Sequence, residues 1–149
     1  MILLDTNILV YAHIPDMPQH DWADRWLTSA LASGKETIGL GWHVLNAFFR
    51  VTTNRRIFEN PMGVDKARKI VDELLNLSLV HQLHTTNRHW KILSAILDDT
   101  QVEGDDVMGA HIAALAVEHG AAGVATADKG FNQFSDFVKI IDPRRELKK

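Results

Sequence analysis

The sequence predicts a three-layer α/β/α sandwich around a mainly parallel sheet. Two observations carry that prediction. Short apolar runs of buried-strand type alternate with segments of helical periodicity along most of the chain. Two of these runs, more than a hundred residues apart, each deliver a carboxylate to the strand end: Ile2-Leu3-Leu4 runs into Asp5-Thr6-Asn7, and Ala122-Gly123-Val124-Ala125 into Thr126-Ala127-Asp128. Open α/β sheets build their sites at such ends.

From the N-terminus, Ile2 to Leu4 reads as a strand, and a second apolar run, Ile8 to Ala12, follows it. Pro15 and Pro18 then break the backbone. Gln19 to Ala32 carries Trp22, Trp26, Leu27 and Ala30 at helical spacing and is ended by Gly34. Thr37 to Leu40 is a short strand. From Trp42 the chain turns helical, with Val44, Leu45, Phe48, Phe49 and Val51 on a broad apolar face. His43, Asn46, Ala47, Arg50 and Asn54 share the opposite stripe by three- and four-residue steps. After a loop containing Asn60-Pro61 come a helix, Val64 to Leu77, a strand, Leu79 to Leu83, and a helix, Asn87 to Leu97. The acidic, glycine-bearing segment from Asp98 to Asp106 reads as a loop. Asp105 or Asp106 starts an alanine-rich helix, Val107 to His119, stopped by Gly120. Ala122 to Ala125 and Val138 to Ile141 complete the strands, and Pro143 closes the ordered part. The expectation is one domain over residues 1–143 and a basic C-terminal tail over 144–149, without internal repeats or low-complexity tracts.

A chain of 149 residues can bury roughly two-thirds of its unfolded surface without a covalent staple. The absence of cysteine excludes disulfides, thiolate catalysis and Cys-ligated zinc. No segment approaches the roughly 20 apolar residues that span a bilayer, and the opening Met-Ile-Leu-Leu-Asp lacks the features of a secretory signal, so the expected location is the cytoplasm. A net charge of -3 argues against broad non-specific binding of nucleic acid. Basic residues nevertheless cluster at Arg50, Arg55 and Arg56 and again at Arg144, Arg145, Lys148 and Lys149.

Asp5 and Asp128 meet only if their two strands lie parallel and adjacent. They would then form a site for a hard cation, since Mg²⁺ and Mn²⁺ are commonly held by one or two carboxylates plus water. Taken singly, each fits a helix cap or turn former equally well. A haloacid-dehalogenase-like reading, with Asp5 as nucleophile, fails because position 7 is Asn7 where that family has a second aspartate. No phosphate-cradling glycine loop is present either.

Leu4-Asp5-Thr6-Asn7-Ile8-Leu9-Val10-Tyr11-Ala12, the segment Trp42 to Asn54, Ala110-His111-Ile112-Ala113-Ala114-Leu115-Ala116 with Glu118-His119-Gly120, and Thr126-Ala127-Asp128 before Phe131 together resemble a PIN domain. More narrowly they resemble the VapC toxins of toxin–antitoxin pairs, over nearly the whole chain to about Pro143. The resemblance implies a Mg²⁺- or Mn²⁺-dependent ribonuclease, a homodimer, held inactive by a partner antitoxin of the VapB type. Asp5 falls on the family's first aspartate and Asp128 on its late one, with Thr126 as the preceding hydroxyl. Arg50, Arg55 and Arg56 are candidates for gripping the RNA backbone, with antitoxin carboxylates or water as their alternative partners.

The chain departs from the family at three acidic positions, occupied here by Ala47, Gly109 and Gly130. Position 109 matters most, because the family's site rests chiefly on that aspartate and on the one matched by Asp5. The resemblance places position 109 in the same cleft as Asp5. Asp106, or Asp105 beside it, is the candidate to take over as third ligand, if the helix begins one turn early. Against this, their side chains start roughly 4.5 to 6 Å further along the axis, and both make good N-caps. The runner-up is a degenerate PIN domain that binds antitoxin or RNA without a working metal centre. His43 and Asn46 read as surface residues with a possible role near a bound water, His111 and His119 as structural or surface residues, and the four tryptophans as core and interface.

Overall fold

The computed structural model describes all 149 residues. Five strands, β1 (Ile2–Leu4), β2 (Ile38–Gly41), β3 (Val80–Leu83), β4 (Gly123–Ala125) and β5 (Ile140–Ile141), form one sheet of order β3-β2-β1-β4-β5 in which every pairing is parallel. Two groups of helices flank it. The first comprises α1 (Thr6–His13), α2 (His20–Ser33), α3 (Trp42–Thr52), α4 (Val64–Leu75) and α7 (Pro143–Glu146); the second comprises α5 (His89–Thr100), α6 (Asp106–Glu118) and the 3₁₀-helix Lys129–Phe134. This is the expected α/β architecture. No helix is long and apolar enough to cross a membrane.

The strand order turns around between β1 and β4. From β1 the chain adds β2 and β3 on one side, then returns to lay β4 and β5 on the other. A crevice opens at the C-terminal ends of two strands related in this way. The pairing Leu4↔Ala125 sets Asp5 and Thr126 level with one another just beyond that edge, and the Asp5 amide donates to Ala125 O at 3.0 Å.

Apolar faces on both sides of the sheet hold these elements in place. Leu3, Leu4, Ile8, Leu9, Ile38, Leu40, Leu45, Phe48, Ile96 and Val124 are essentially inaccessible to solvent, each stabilising the fold by about 1.5 to 3 kcal/mol relative to exposure. In α6 the alanines let the helix lie close to the sheet: Ala110, Ala113, Ala114 and Ala116 are all buried. Gly34 ends α2 with φ of 62°, a left-handed conformation that a residue without Cβ adopts cheaply.

Local differences from the sequence reading have local causes. Helix α5 runs to Thr100, whose hydroxyl bonds back to Ile96 O at 2.7 Å, so Asp98 and Asp99 lie on a helix and the loop begins at Gln101 with φ of 54°. Pro143 opens α7, where its fixed φ suits a first helical position. Asp142 caps the turn through Oδ1, which accepts from the Arg144 amide at 3.0 Å, and Leu147 packs against the core, so regular structure continues into residues 143–146.

Candidate functional site

Thr126 sits at the centre of the site. Its hydroxyl donates to Asp5 Oδ2 at 2.7 Å and accepts from the Asp128 amide at 3.1 Å and from Asn7 Nδ2 at 3.2 Å. Asn7 Nδ2 also donates to Asp5 Oδ2 at 3.1 Å, while Asn7 Oδ1 accepts from the Ala127 amide at 3.0 Å. Side chains from the start of α1 thus tie the end of β1 to the end of β4. Asp5 is also the N-cap of α1, its Oδ1 accepting from the Thr6 amide at 2.7 Å, and Asp128 caps the 3₁₀-helix by accepting from the Gly130 amide at 2.9 Å. Capping leaves room for a ligand on both, because a carboxylate has about four acceptor sites. Asp5 uses three of them within the chain, and Asp128 Oδ2 uses none.

Burial pushes the Asp5 carboxyl above its ordinary value, and the charge of Asp128 adds to that. Hydrogen bonds from Thr126, Thr6 and Asn7 oppose the rise. A carboxylate kept costly to ionise by a neighbouring carboxylate is relieved by a cation between them.

Both aspartates line a cleft of about 550 Å³. One wall carries His43, Ala47 and Arg50 from α3; the other carries Asp105, Met108 and Ile112 at the start of α6. Tyr11, Met17, Ile57 and Phe58 make its floor and rim apolar. Arg50 thus stands at the site, whereas Arg55 and Arg56 lie exposed in the turn after α3, outside the cleft. Asn46 is exposed and also outside it.

The three vacated acidic positions differ in surroundings. Ala47 opens on the cleft. Gly130 lies against Asp128, with a Cβ there falling 3.2 Å from Asp128 Oδ1. Gly109 does not line the cleft. A Cβ on it would come within 2.7 Å of Phe134 Cε2, so the buried Phe134 ring occupies the space that a side chain at 109 would need. Of the two candidate stand-ins, Asp105 lines the cleft and Asp106, the first choice from the sequence, does not. Asp105 occupies the N-cap position of α6 with helical backbone angles, φ of -64° and ψ of -24°, instead of the extended ones that aim a capping side chain back at the helix, and it makes no side-chain capping bond. No three His, Asp or Glu side chains are grouped closely enough to hold an ion by themselves.

A polar chain anchored on the buried Glu118 reaches the cleft from the α5–α6 side, and the sequence reading missed it. Glu118 Oε2 accepts from the Thr86 hydroxyl at 2.8 Å and the Thr86 amide at 3.2 Å, and its Oε1 accepts from His89 Nδ1 at 2.8 Å. A carboxylate only accepts, so His89 carries its proton on Nδ1. Its Nε2 then accepts from His111 Nδ1 at 3.0 Å. The His111 ring meets His43 edge to face at 5.6 Å. Burial lowers the pKa of His43, with Asp5 opposing that shift, and lowers that of His111, with His89 and His43 adding to it. The signal was present in the i, i+7 spacing of His111 and Glu118 on one face of α6, but their partner lies on another helix.

A family profile described as PIN domain matches residues 2–136. Ribonuclease VapC43 of Mycobacterium tuberculosis is 40% identical over 135 residues, covering 90% of each chain. Ribonuclease VapC33 of the same organism is 32% identical over 146 residues, covering 98% of this chain and 100% of the relative. Among solved structures, Mycobacterium tuberculosis VapC20, described as a sarcin-ricin loop cleaving toxin, superposes with a TM-score of 0.68 at 20% identity, covering 95% of this chain and 100% of the other. Rickettsia felis VapBC2, bound to a DNA fragment from its promoter, gives 0.66 at 19% identity, covering 95% and 100%. The structural likenesses establish the common fold, and the sequence matches extend through both aspartate-bearing strand ends, so the chain belongs to the PIN domain family.

Proposed function

We propose that the chain is a VapC-type ribonuclease toxin that cuts RNA with Mg²⁺ or Mn²⁺ held at Asp5 and Asp128, and that a cognate antitoxin silences it by covering the cleft. The observation that carries this reading is the Thr126 hydroxyl, which locks the two carboxylate-bearing strand ends together inside a cleft that also presents Arg50. The donor set suits such an ion. Asp5 keeps one acceptor site free and Asp128 a whole oxygen, and Mg²⁺ is commonly bound through one or two carboxylates, waters and substrate phosphate oxygens. When bound, the ion supplies activation of the attacking water and neutralises charge developing on the phosphate. The chain's own residues do the rest. Thr126, Asn7 and the Thr6 amide hold Asp5 in one orientation, Arg50 offers its guanidinium to a phosphate, and the apolar rim of Tyr11, Met17, Ile57 and Phe58 suits an antitoxin segment.

With Ala47 and Gly109 in place of acids, the ion has fewer protein ligands than in a PIN domain with its full set, and the expected turnover is slower. The same two positions favour a second reading, a PIN domain that binds antitoxin or RNA without cutting. RNA cleavage in Mn²⁺ by the chain and by Asp5→Asn, beside a pull-down with the neighbouring antitoxin, separates the two. Slow cleavage that Asp5→Asn abolishes supports the nuclease. Antitoxin capture with no cleavage supports the binding module, and cleavage indifferent to Asp5 contradicts the site.

A further inference from the structure

Asp128 lies on two concavities. One is the cleft shared with Asp5; the other, of about 410 Å³, opens on the far side of Asp128 along β4, β5 and α7. Their linings differ in chemistry. More than half of the residues lining the cleft are apolar or aromatic, whereas the second cavity has only Ala127, Ile140 and Ile141 as apolar lining and is otherwise polar and charged. Five cations face it, Lys129, Lys139, Arg144, Arg145 and Lys149, against three acids, Asp128, Asp142 and Glu146.

The pairing inside this cavity decides which cations are available. Arg144 is held by both oxygens of Asp142 at 2.9 Å and lies over the Trp22 ring at 5.6 Å, so it is fixed and neutralised. Arg145 approaches Asp142 at 4.0 Å, and Lys149 bonds Glu146 at 3.2 Å. Lys129 and Lys139 have no acidic partner. Their backbones are well placed. Lys139 O accepts from the Val124 amide at 2.9 Å, and Lys129 opens the 3₁₀-helix that Asp128 caps. Two unpaired ammonium groups from different elements thus line one hollow that begins at Asp128.

We propose that this hollow is a second subsite for the RNA backbone, in which Lys129 and Lys139 take phosphates of the strand on the side of the scissile linkage away from Arg50. The inference rests on the ribonuclease reading of Asp5 and Asp128. A nucleic acid strand carries a charge at every nucleotide, so a strand with one phosphate at Asp5 and Asp128 presents further phosphates in both directions. Arg50 meets one direction and the lysine pair the other. The scarcity of apolar surface around the lysines means that this half grips phosphate without reading bases. Sequence choice is left to the Tyr11, Met17, Ile57 and Phe58 half.

The test is the salt dependence of oligouridine binding, read by fluorescence anisotropy, for the full chain, for the Lys129→Ala/Lys139→Ala variant, and for Lys66→Ala/Lys69→Ala on α4 as a control of equal charge change. Counter-ion release makes log K fall with log salt by about 0.7 per single-strand phosphate contact. The Lys129→Ala/Lys139→Ala slope should therefore be shallower than the parent's by about 1.4, with weaker binding at low salt that converges on the parent's as salt rises, while the control keeps the parent slope. An unchanged slope in the test variant, an equal loss in the control, or loss of antitoxin capture in place of RNA binding would overturn the subsite and leave the ribonuclease reading standing. A parent chain that does not bind oligouridine would overturn both.

Discussion

Thr126 and Asp5 come from strands 121 residues apart and are joined by a 2.7 Å hydrogen bond from hydroxyl to carboxylate. Thr126 is 2% exposed, so the bond is shielded from competing water. It turns the parallel pairing of β1 and β4 into a defined orientation for the carboxylate at the cleft.

The first prediction removes that bond. Thr126→Val keeps the shape and deletes the hydroxyl, leaving the Asp128 amide unpaired and Asp5 with one donor fewer. The expected cost is about 1 to 3 kcal/mol of stability by chemical denaturation. RNA cleavage should fall further, on the order of a hundredfold, because a misplaced catalytic group is penalised steeply. Cleavage at the parent rate in a folded variant would show that Thr126 does not position Asp5.

The two vacated acidic positions on helices should respond differently to restoration. Ala47 already lines the cleft, so Ala47→Glu should raise Mn²⁺ affinity at least about tenfold, or 1.4 kcal/mol, while lowering metal-free stability, since Ala47 is 7% exposed and a third carboxylate joins Asp5 and Asp128. Gly109→Asp must displace Phe134, whose Cε2 lies 2.7 Å from the new Cβ. Overpacking of this kind costs about 1 to 3 kcal/mol, against up to about 1 kcal/mol recovered by removing a helix-interior glycine. Gly109→Asp should therefore melt lower than the parent without metal, and, with position 109 outside the cleft, Mn²⁺ should raise its melting temperature no more than it raises the parent's. A larger Mn²⁺ shift in Gly109→Asp than in the parent would mean that position 109 reaches the ion.

Glu118 gives a prediction in pH. Burial works against its charge, yet its carboxyl lies below the ordinary value near 4.5, because the Thr86 hydroxyl, His89 and the Thr86 amide all hold the ionised form. A group with a depressed folded value stabilises the fold fully above its unfolded value, and that contribution is lost as pH falls through the folded value. Glu118→Gln should cost about 1 to 3 kcal/mol near neutral pH, since one acceptor is lost at a buried position. The stability difference between the chain and Glu118→Gln should shrink as pH drops below about 4.5. A difference constant down to strongly acid pH would contradict an ionised Glu118 held by Thr86 and His89.

Much of this was legible in the sequence because the signals are short-range. Ile2-Leu3-Leu4 and Gly123-Val124-Ala125 announce buried strands by composition, Gly34 and Gly120 announce helix ends, and the aspartates that follow the two strands announce the cleft. What was not legible depends on contacts between distant segments. Nothing local in Asp105-Asp106 reveals which carboxylate turns to the cleft, since that depends on the angle at which α6 meets the sheet. Phe134 filling the space over Gly109, and His89 linking Glu118 to His111, likewise depend on how helices pack side by side. The basic residues at the C-terminus read as a tail by charge alone, yet Trp22 and Asp142 anchor Arg144 within the fold.

The central claim, that Asp5 and Asp128 form one divalent-ion site, is tested most directly by calorimetric titration of Mn²⁺ into the chain, Asp5→Asn and Asp128→Asn. The account predicts a single binding event in the chain that either substitution abolishes or weakens at least about tenfold, or 1.4 kcal/mol. Undiminished Mn²⁺ binding by both variants would contradict it.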